Sequence, residues 1–157
     1  MVITSALLTS EDKVLRILSS YARFAEKKNV PSLFFNRLTV LDERFLHLTP
    51  FCSDQQQKHF DHLMKLLIKN ATNAQGAWHE LYAVIEKGHM LGLHVINFRN
   101  VGNALLSAIK ESSDNHCSDA IHDAWMDLIT QILKRVAMIE TDLGISVNES
   151  HITQLTR

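Results

Sequence analysis

Residues 89–106 read HMLGLHVINFRNVGNALL and join the end of one helix pattern to the start of another. His89 closes the first pattern, and the apolar residues after it recur at the three- and four-residue spacing of an amphipathic helix. A second histidine, His59, lies upstream within another amphipathic pattern. Because imidazole binds metals and titrates near neutral pH, this pair predicts two histidines facing each other across a pocket that has an apolar helix as one wall.

The composition is that of a helical globular protein. The chain has 157 residues, of which 46% are hydrophobic and 21% charged, and only five glycines and two prolines. This length suits one domain with a substantial core. Turn-forming residues are scarce, so we expect an all-α fold in which residues 1–157 form a single domain, with a core at about 8–142 and a polar tail at 145–157.

Charge and cysteine content exclude several classes of function. The net charge of −1, with histidine neutral, gives no basic surface for nucleic acid or an anionic membrane. No apolar stretch approaches the roughly 18 residues of a membrane span, and no basic segment precedes an apolar one at the N-terminus. Cys52 and Cys117 are too few for a disulfide framework. We therefore expect a cytoplasmic protein with reduced thiols, and small neutral ligands or proteins as its partners.

Capping and helix-breaking residues predict where the first helices begin and end. Thr9-Ser10 offers a cap for the first helix, and Pro31 suits the first turn of the second. Pro50 is expected to end a shorter element that follows the second helix. Ser53 or Asp54 is expected to cap the next long helix.

The same signals continue through the second half of the chain. One helix is expected to end near Gly92, and Asn97 is expected to cap a helix over Phe98–Ile109. Ser118 is expected to cap a long last helix, with Asp119 in its first turn, where the helix dipole favours an anion. These signals agree with the apolar periodicity, so the whole chain reads as successive amphipathic helices.

The order of these segments resembles that of globins. The resemblance rests on His59, His89 and the FxxVGxALL pattern at 98–106. Residues 33–38 (LFFNRL) resemble the second helix of single-domain haemoglobins and of the globin domain of flavohaemoglobins, and 118–125 (SDAIHDAW) resemble the start of their last helix. The joint order and spacing of these pieces is specific, although each piece alone is weak.

The resemblance covers roughly residues 8–142 and implies a globin fold of about six to eight helices around a haem pocket that binds haem b. It implies that His89 is the proximal ligand of the haem iron. The other ring nitrogen of His89 is expected to donate a hydrogen bond to the Ile85 carbonyl, which fixes the ring. His59 matches the distal position, where it would hydrogen-bond a bound gas or bind the iron itself.

The resemblance also assigns the remaining pocket positions. Phe35 matches the second-helix position that faces the ligand, and Leu63 matches the apolar residue over the porphyrin. His62 and His94 match positions beside the haem propionates or on the surface. The proximal pocket wall is assigned to Val95, Phe98 and Val101.

The sequence departs from the usual globin pattern at three places. Thr49 stands where globins place a phenylalanine against the haem, and Phe51, two positions later, is expected to take that role. The corner between His89 and Phe98 is one or two residues shorter than in common relatives. The usual first-helix tryptophan is absent near Ser20.

The resemblance implies a globin that reversibly binds oxygen, carbon monoxide or nitric oxide, as a monomer or homodimer, for oxygen transport or gas sensing. Nitric oxide dioxygenation would need a separate reductase, and the sequence has no catalytic motif of its own. Two alternatives stay open. One is a six-coordinate haem protein in which His59 and His89 both bind iron for redox or sensing, and the other is a haem-free globin fold that serves as a sensing or scaffold domain.

Overall fold

The computed structural model describes residues 9–27, 29–112 and 118–144. Within these residues the structure is entirely helical, as predicted, with six α-helices and one 3-10 helix. They are α1 (Glu11–Phe24), α2 (Val30–Leu41), the 3-10 helix (Glu43–His47), α3 (Ser53–Ala71), α4 (Ala77–Met90), α5 (Val95–Ser112) and α6 (Asp119–Asp142). Cys117 and the predicted tail at 145–157 lie outside the described residues.

Three of the predicted helix signals are confirmed. Pro31 lies in the first turn of α2, where its missing N–H leaves no partner unsatisfied. The Ser118 hydroxyl oxygen accepts a hydrogen bond from the Ile121 backbone N–H at 3.2 Å and caps α6. After α4, Gly92 takes a φ of +82° and its N–H donates to the His89 carbonyl at 2.9 Å, so the helix stops there.

The predicted caps of α1 and α3 have different outcomes. Ser10 occupies the cap position of α1, but its side chain makes no hydrogen bond to the helix, whereas Thr9 donates its hydroxyl to the Asp127 carboxylate at 2.8 Å and ties the start of α1 to α6. The predicted cap of α3 is wrong, because Cys52 occupies the cap position and Ser53 is already helical.

The predicted start of α5 is also wrong by one turn, since the helix begins at Val95. Val95 is 2% exposed, so its burial favours extending the helix towards the His94 corner. Asn97 therefore lies inside the first turn and reaches backwards, accepting the His94 backbone N–H at 2.9 Å. This is the backward half of a capping box, in which a first-turn side chain satisfies a donor before the helix.

One hydrophobic core draws on all six α-helices. α2 packs against α3 and α5, α1 packs against α6, and α4 packs against α3 and α6. Trp125 is fully buried at the α1–α6 contact, and its indole N–H donates to the Ser20 hydroxyl at 2.8 Å. Every helix also carries exposed polar residues, and none in the described ranges is long and apolar enough to cross a membrane.

A buried amide joins three of these helices. Asn70 on α3 is 0% exposed, donates to the Leu66 carbonyl at 2.9 Å and accepts a hydrogen bond from the Arg135 guanidinium on α6 at 2.9 Å. The same guanidinium lies 5.7 Å from the centre of the Trp78 ring on α4, a cation–π distance. These contacts fix the relative positions of α3, α4 and α6, which enclose the cavity described next.

Candidate ligand site beside His89

An apolar cavity of about 190 Å³ lies between α3, α4, α5 and α6. Four of the residues predicted to line a pocket contribute to it, namely Leu63, Ile85, Phe98 and Val101. Apart from Gly102, the other lining residues are leucines, isoleucines and valines. Every side chain in the lining is therefore apolar, which suits a ligand whose flat or aliphatic surface must be kept from water.

His89 lies on α4 one turn after Ile85, so the two residues share a helix face. The His89 ring is half-buried and contacts the His94 ring edge-on, with centroids 5.5 Å apart and planes at 64°. Its Nδ1 is buried and has no hydrogen-bond partner within the described ranges. The predicted bond to the Ile85 carbonyl is wrong, since Nδ1 makes no hydrogen bond to that carbonyl or to any other described group.

Glu140 on α6 is the residue of this site that sequence reasoning missed. It is 1% exposed, and neither carboxylate oxygen makes a well-formed hydrogen bond to a described residue. Burial raises the pKa of Glu140, and the charge of His89 and the Val95 backbone N–H offset that rise only in part. A buried carboxylate without a well-formed hydrogen bond thus lies near a buried imidazole nitrogen without a partner among the described residues.

A signal for Glu140 was present in the sequence. Ile132, Val136 and Glu140 follow one another at four-residue spacing on the apolar stripe of α6. A carboxylate at a stripe position is expensive to bury unless something pairs with it. Its position therefore pointed to a buried polar partner, although only the fold identifies that partner as His89.

The ring of Phe98 closes the cavity against α4. A Cβ atom added at Gly88 would lie 2.7 Å from Phe98 Cζ, far inside normal contact distance. Gly88 therefore lets the Phe98 ring approach the helix that carries His89. Val95, the other predicted wall residue on α5, is in the core but does not line the cavity.

The predicted distal residues lie elsewhere. His59 and His62 are exposed on α3, and neither lines the cavity. His59 precedes Leu63 by one helical turn and shares its face, but among the residues of α3 the cavity lining begins only at Leu63. Phe35 is buried in the core, with its ring 5.0 Å from that of Phe34, whereas Phe51 is 98% exposed. The structure thus gathers Ile85, Phe98 and Val101 with Leu63 around the cavity. The other predicted site residues, including His89 and His94, lie outside its lining.

A polar network holds the corner that carries His94. Asp42, just after α2, accepts hydrogen bonds from the Asn97 amide at 2.7 Å, the Asn100 amide at 3.1 Å and the Arg44 backbone N–H at 3.1 Å. Burial raises the pKa of Asp42, but these hydrogen bonds and the Arg44 charge outweigh it, so the pKa lies below its ordinary value. The Arg44 guanidinium also donates to the Gly92 carbonyl at 2.5 Å. The corner after α4 is therefore anchored from two sides.

Comparison with known proteins finds no family model that matches this chain and no similar sequence among curated proteins.

Proposed function

We propose that the chain binds haem b through Nε2 of His89, and that the haem iron takes a diatomic gas such as oxygen, carbon monoxide or nitric oxide. The observation that carries the proposal is the buried, unpartnered Nδ1 of His89 near the Glu140 carboxylate, one helical turn beyond Ile85, which lines a wholly apolar cavity. A histidine that binds a metal through one nitrogen needs an acceptor for the other. Glu140 is suited to be that acceptor.

Each described residue then has a distinct part. His89 would hold the haem iron through Nε2, and Glu140 would accept a hydrogen bond from Nδ1–H, which would hold the imidazole in one tautomer and orientation. Leu63, Phe98 and Val101 supply apolar contacts and exclude water. When bound, haem would supply an iron atom with an open coordination position for the gas, and an apolar surrounding favours the ferrous state that binds oxygen.

The proposal also requires the cavity to widen. Its volume of about 190 Å³ is below the roughly 300–1,000 Å³ of pockets that hold drug-sized ligands. Leu63 is only half-buried and Val84 is 39% exposed, so side chains on the open edge between α3 and α4 can move without disrupting the core. Haem binding should therefore change the packing of this edge, while α6 and the Asn70–Arg135 contact stay in place.

A second candidate function is a haem-free helical domain that acts through protein contacts. The 98% exposure of Phe51 and the small cavity favour it, because a phenylalanine expected against haem instead faces solvent. The haem-binding proposal is preferred because the second candidate gives no reason for two unpartnered polar groups to be buried near each other on α4 and α6.

Absorption spectroscopy after reconstitution with haem tests the proposal. We expect the ferrous protein under nitrogen to show one broad visible band and to bind carbon monoxide, as a five-coordinate iron does. His89→Ala should abolish this spectrum, whereas the matched variant His94→Ala, which removes the neighbouring imidazole, should retain it. Two sharp bands that disappear in His59→Ala would indicate that both histidines bind iron. Failure to take up haem, or a spectrum unchanged in His89→Ala, would reject the proposal and leave the haem-free candidate.

A further inference from the structure

A second and larger concavity lies on the opposite face of α5. It is a groove of about 330 Å³ between α2, α5 and the first turn of α6. Its volume falls within the roughly 300–1,000 Å³ typical of small-molecule sites. No residue lines both the groove and the apolar cavity, so the two spaces are separate sites.

The polar side of the groove carries two cations, Arg37 on α2 and Lys110 on α5. Asn103 and Ser107 on α5 and His122 on α6 line it with them. None of the described residues that line it is an aspartate or glutamate. Guanidinium and ammonium groups are the side chains that recognise carboxylate and phosphate, Arg as a planar fork and Lys as a point charge.

The other side of the groove is apolar. Leu106 forms its floor and is 3% exposed, whereas Val40 and Leu41 on α2 are 84% and 49% exposed. Exposed aliphatic side chains next to a cluster of cations would be covered by a ligand that has both a charged and an apolar end. Inorganic anions would satisfy only one half of this surface.

From this arrangement we propose that the groove binds a small amphipathic organic anion, a carboxylate with a short aliphatic chain. The carboxylate lies between Arg37 and Lys110, and the chain covers Val40, Leu41 and Leu106. This site is independent of the proposed haem function, because the groove and the apolar cavity share no lining residue.

Glu111 competes with this ligand for Arg37. The Arg37 guanidinium donates to the Glu111 carboxylate at 2.7 Å, and both side chains are nearly half exposed. An exposed ion pair of this kind is weak, so an arriving carboxylate can replace Glu111. Removing the Glu111 charge should therefore strengthen ligand binding. If the Arg37–Glu111 ion pair only stabilised the fold, its removal would not have this effect.

The test is a titration of the isotope-labelled chain with octanoate, followed in amide correlation spectra that report both position and affinity. We expect shifts at the amides around Arg37, Ser107 and Lys110. Arg37→Gln and Lys110→Gln should each weaken binding by about tenfold, the usual effect of losing one charge-assisted hydrogen bond. Glu111→Gln should tighten binding. Lys134→Gln removes the same charge about 18 Å further along α6 from His122 and should have no effect.

Two further probes separate the halves of the ligand. Octanol has the chain without the charge and inorganic phosphate has the charge without the chain, so each should bind the groove about tenfold more weakly than octanoate or worse. The proposal is overturned if octanoate shifts only amides around the apolar cavity, if Lys110→Gln and Lys134→Gln behave alike, if Glu111→Gln weakens binding, or if octanol or phosphate binds the groove as tightly as octanoate.

Discussion

The carboxylate of Glu140 and the imidazole of His89 lie close enough to interact electrostatically, yet neither group makes a well-formed hydrogen bond to a described residue. Glu140 is 1% exposed, so water does not replace the missing partner. A buried carboxylate without a partner destabilises a fold. The pair is therefore expected to lower the stability of the chain, a cost that the proposed haem ligand would explain.

Replacing Glu140 by methionine should separate its cost to the stability of the fold from its support of haem binding. Methionine has a similar length and no charge, so Glu140→Met should raise the free energy of unfolding of the haem-free chain by about 1–3 kcal/mol. The same variant should release haem faster, because Nδ1 of His89 loses its acceptor. Urea unfolding and haem transfer to an acceptor protein measure the two quantities.

The matched control is Glu86→Met, which removes an exposed carboxylate from α4 and should change neither quantity appreciably. A stability loss in Glu140→Met would contradict the account, because it would mean that the carboxylate has a stabilising partner. Unchanged haem release would mean that Glu140 does not support His89.

Gly88→Ala should have an effect whose sign depends on Phe98. Alanine at a helical glycine normally stabilises by about 1 kcal/mol. Here the new methyl group would lie 2.7 Å from Phe98 Cζ, and overpacking of this kind costs about 1–3 kcal/mol. We expect a net loss in the wild type and a gain in a Phe98→Leu background. Denaturation of all four proteins of the cycle measures both, and equal effects in the two backgrounds would rule out the steric explanation.

Asp42 should make the stability depend on acid pH. Its pKa is lower in the folded chain than in the unfolded one, so the unfolded chain takes up the proton first as the pH falls. The contribution of Asp42 is therefore present above about pH 4, the value of an unfolded aspartate, and is lost as the pH falls through the folded-state pKa. Unfolding free energies measured at a series of pH values should fall less steeply with acid in Asp42→Asn. A parallel pH profile in that variant would contradict this assignment.

Asn70→Ala should destabilise the chain by about 2–3 kcal/mol, because it leaves the half-buried Arg135 guanidinium without its acceptor and exposes backbone groups to a small void. Thermal or urea unfolding measures the loss. Asn36→Ala, at an exposed position of α2, provides the comparison and should stay within about 0.5 kcal/mol of wild type. Equal losses in the two variants would show that the hydrogen bond between Asn70 and Arg135 does not stabilise the fold.

Helices could be predicted from this sequence because their signals are local. Apolar spacing within each segment, Pro31 in a first turn and Gly92 after a last one are read from a few neighbouring residues. Caps were less predictable. Ser10, Ser53 and Asn97 all have side chains that favour a cap, but tertiary packing decides at which residue each helix begins and whether the side chain bonds to it. Val95 illustrates this, because its burial extends α5 past the expected start.

The candidate site could likewise be predicted only where its signals are local. Ile85 and His89 share a helix face through local spacing, and Leu63, Phe98 and Val101 were expected at a pocket and line the cavity. The proximity of His89 and Glu140 joins residues far apart in the chain, so no local pattern states it. His59 shows the converse, since it shares a helix face with Leu63 but lies one turn before the point where α3 reaches the cavity.

Adjacent residues of α5 serve different compartments, because Leu105 lines the apolar cavity whereas Leu106 lines the groove. Successive residues of a helix are rotated by about 100° relative to each other, since about 3.6 residues complete a turn. Inserting or deleting one residue before Val101 would therefore rotate the rest of α5 and turn groove side chains such as Lys110 away from their own compartment. The length of α5 before Val101 therefore decides which side chains face the cavity and which face the groove.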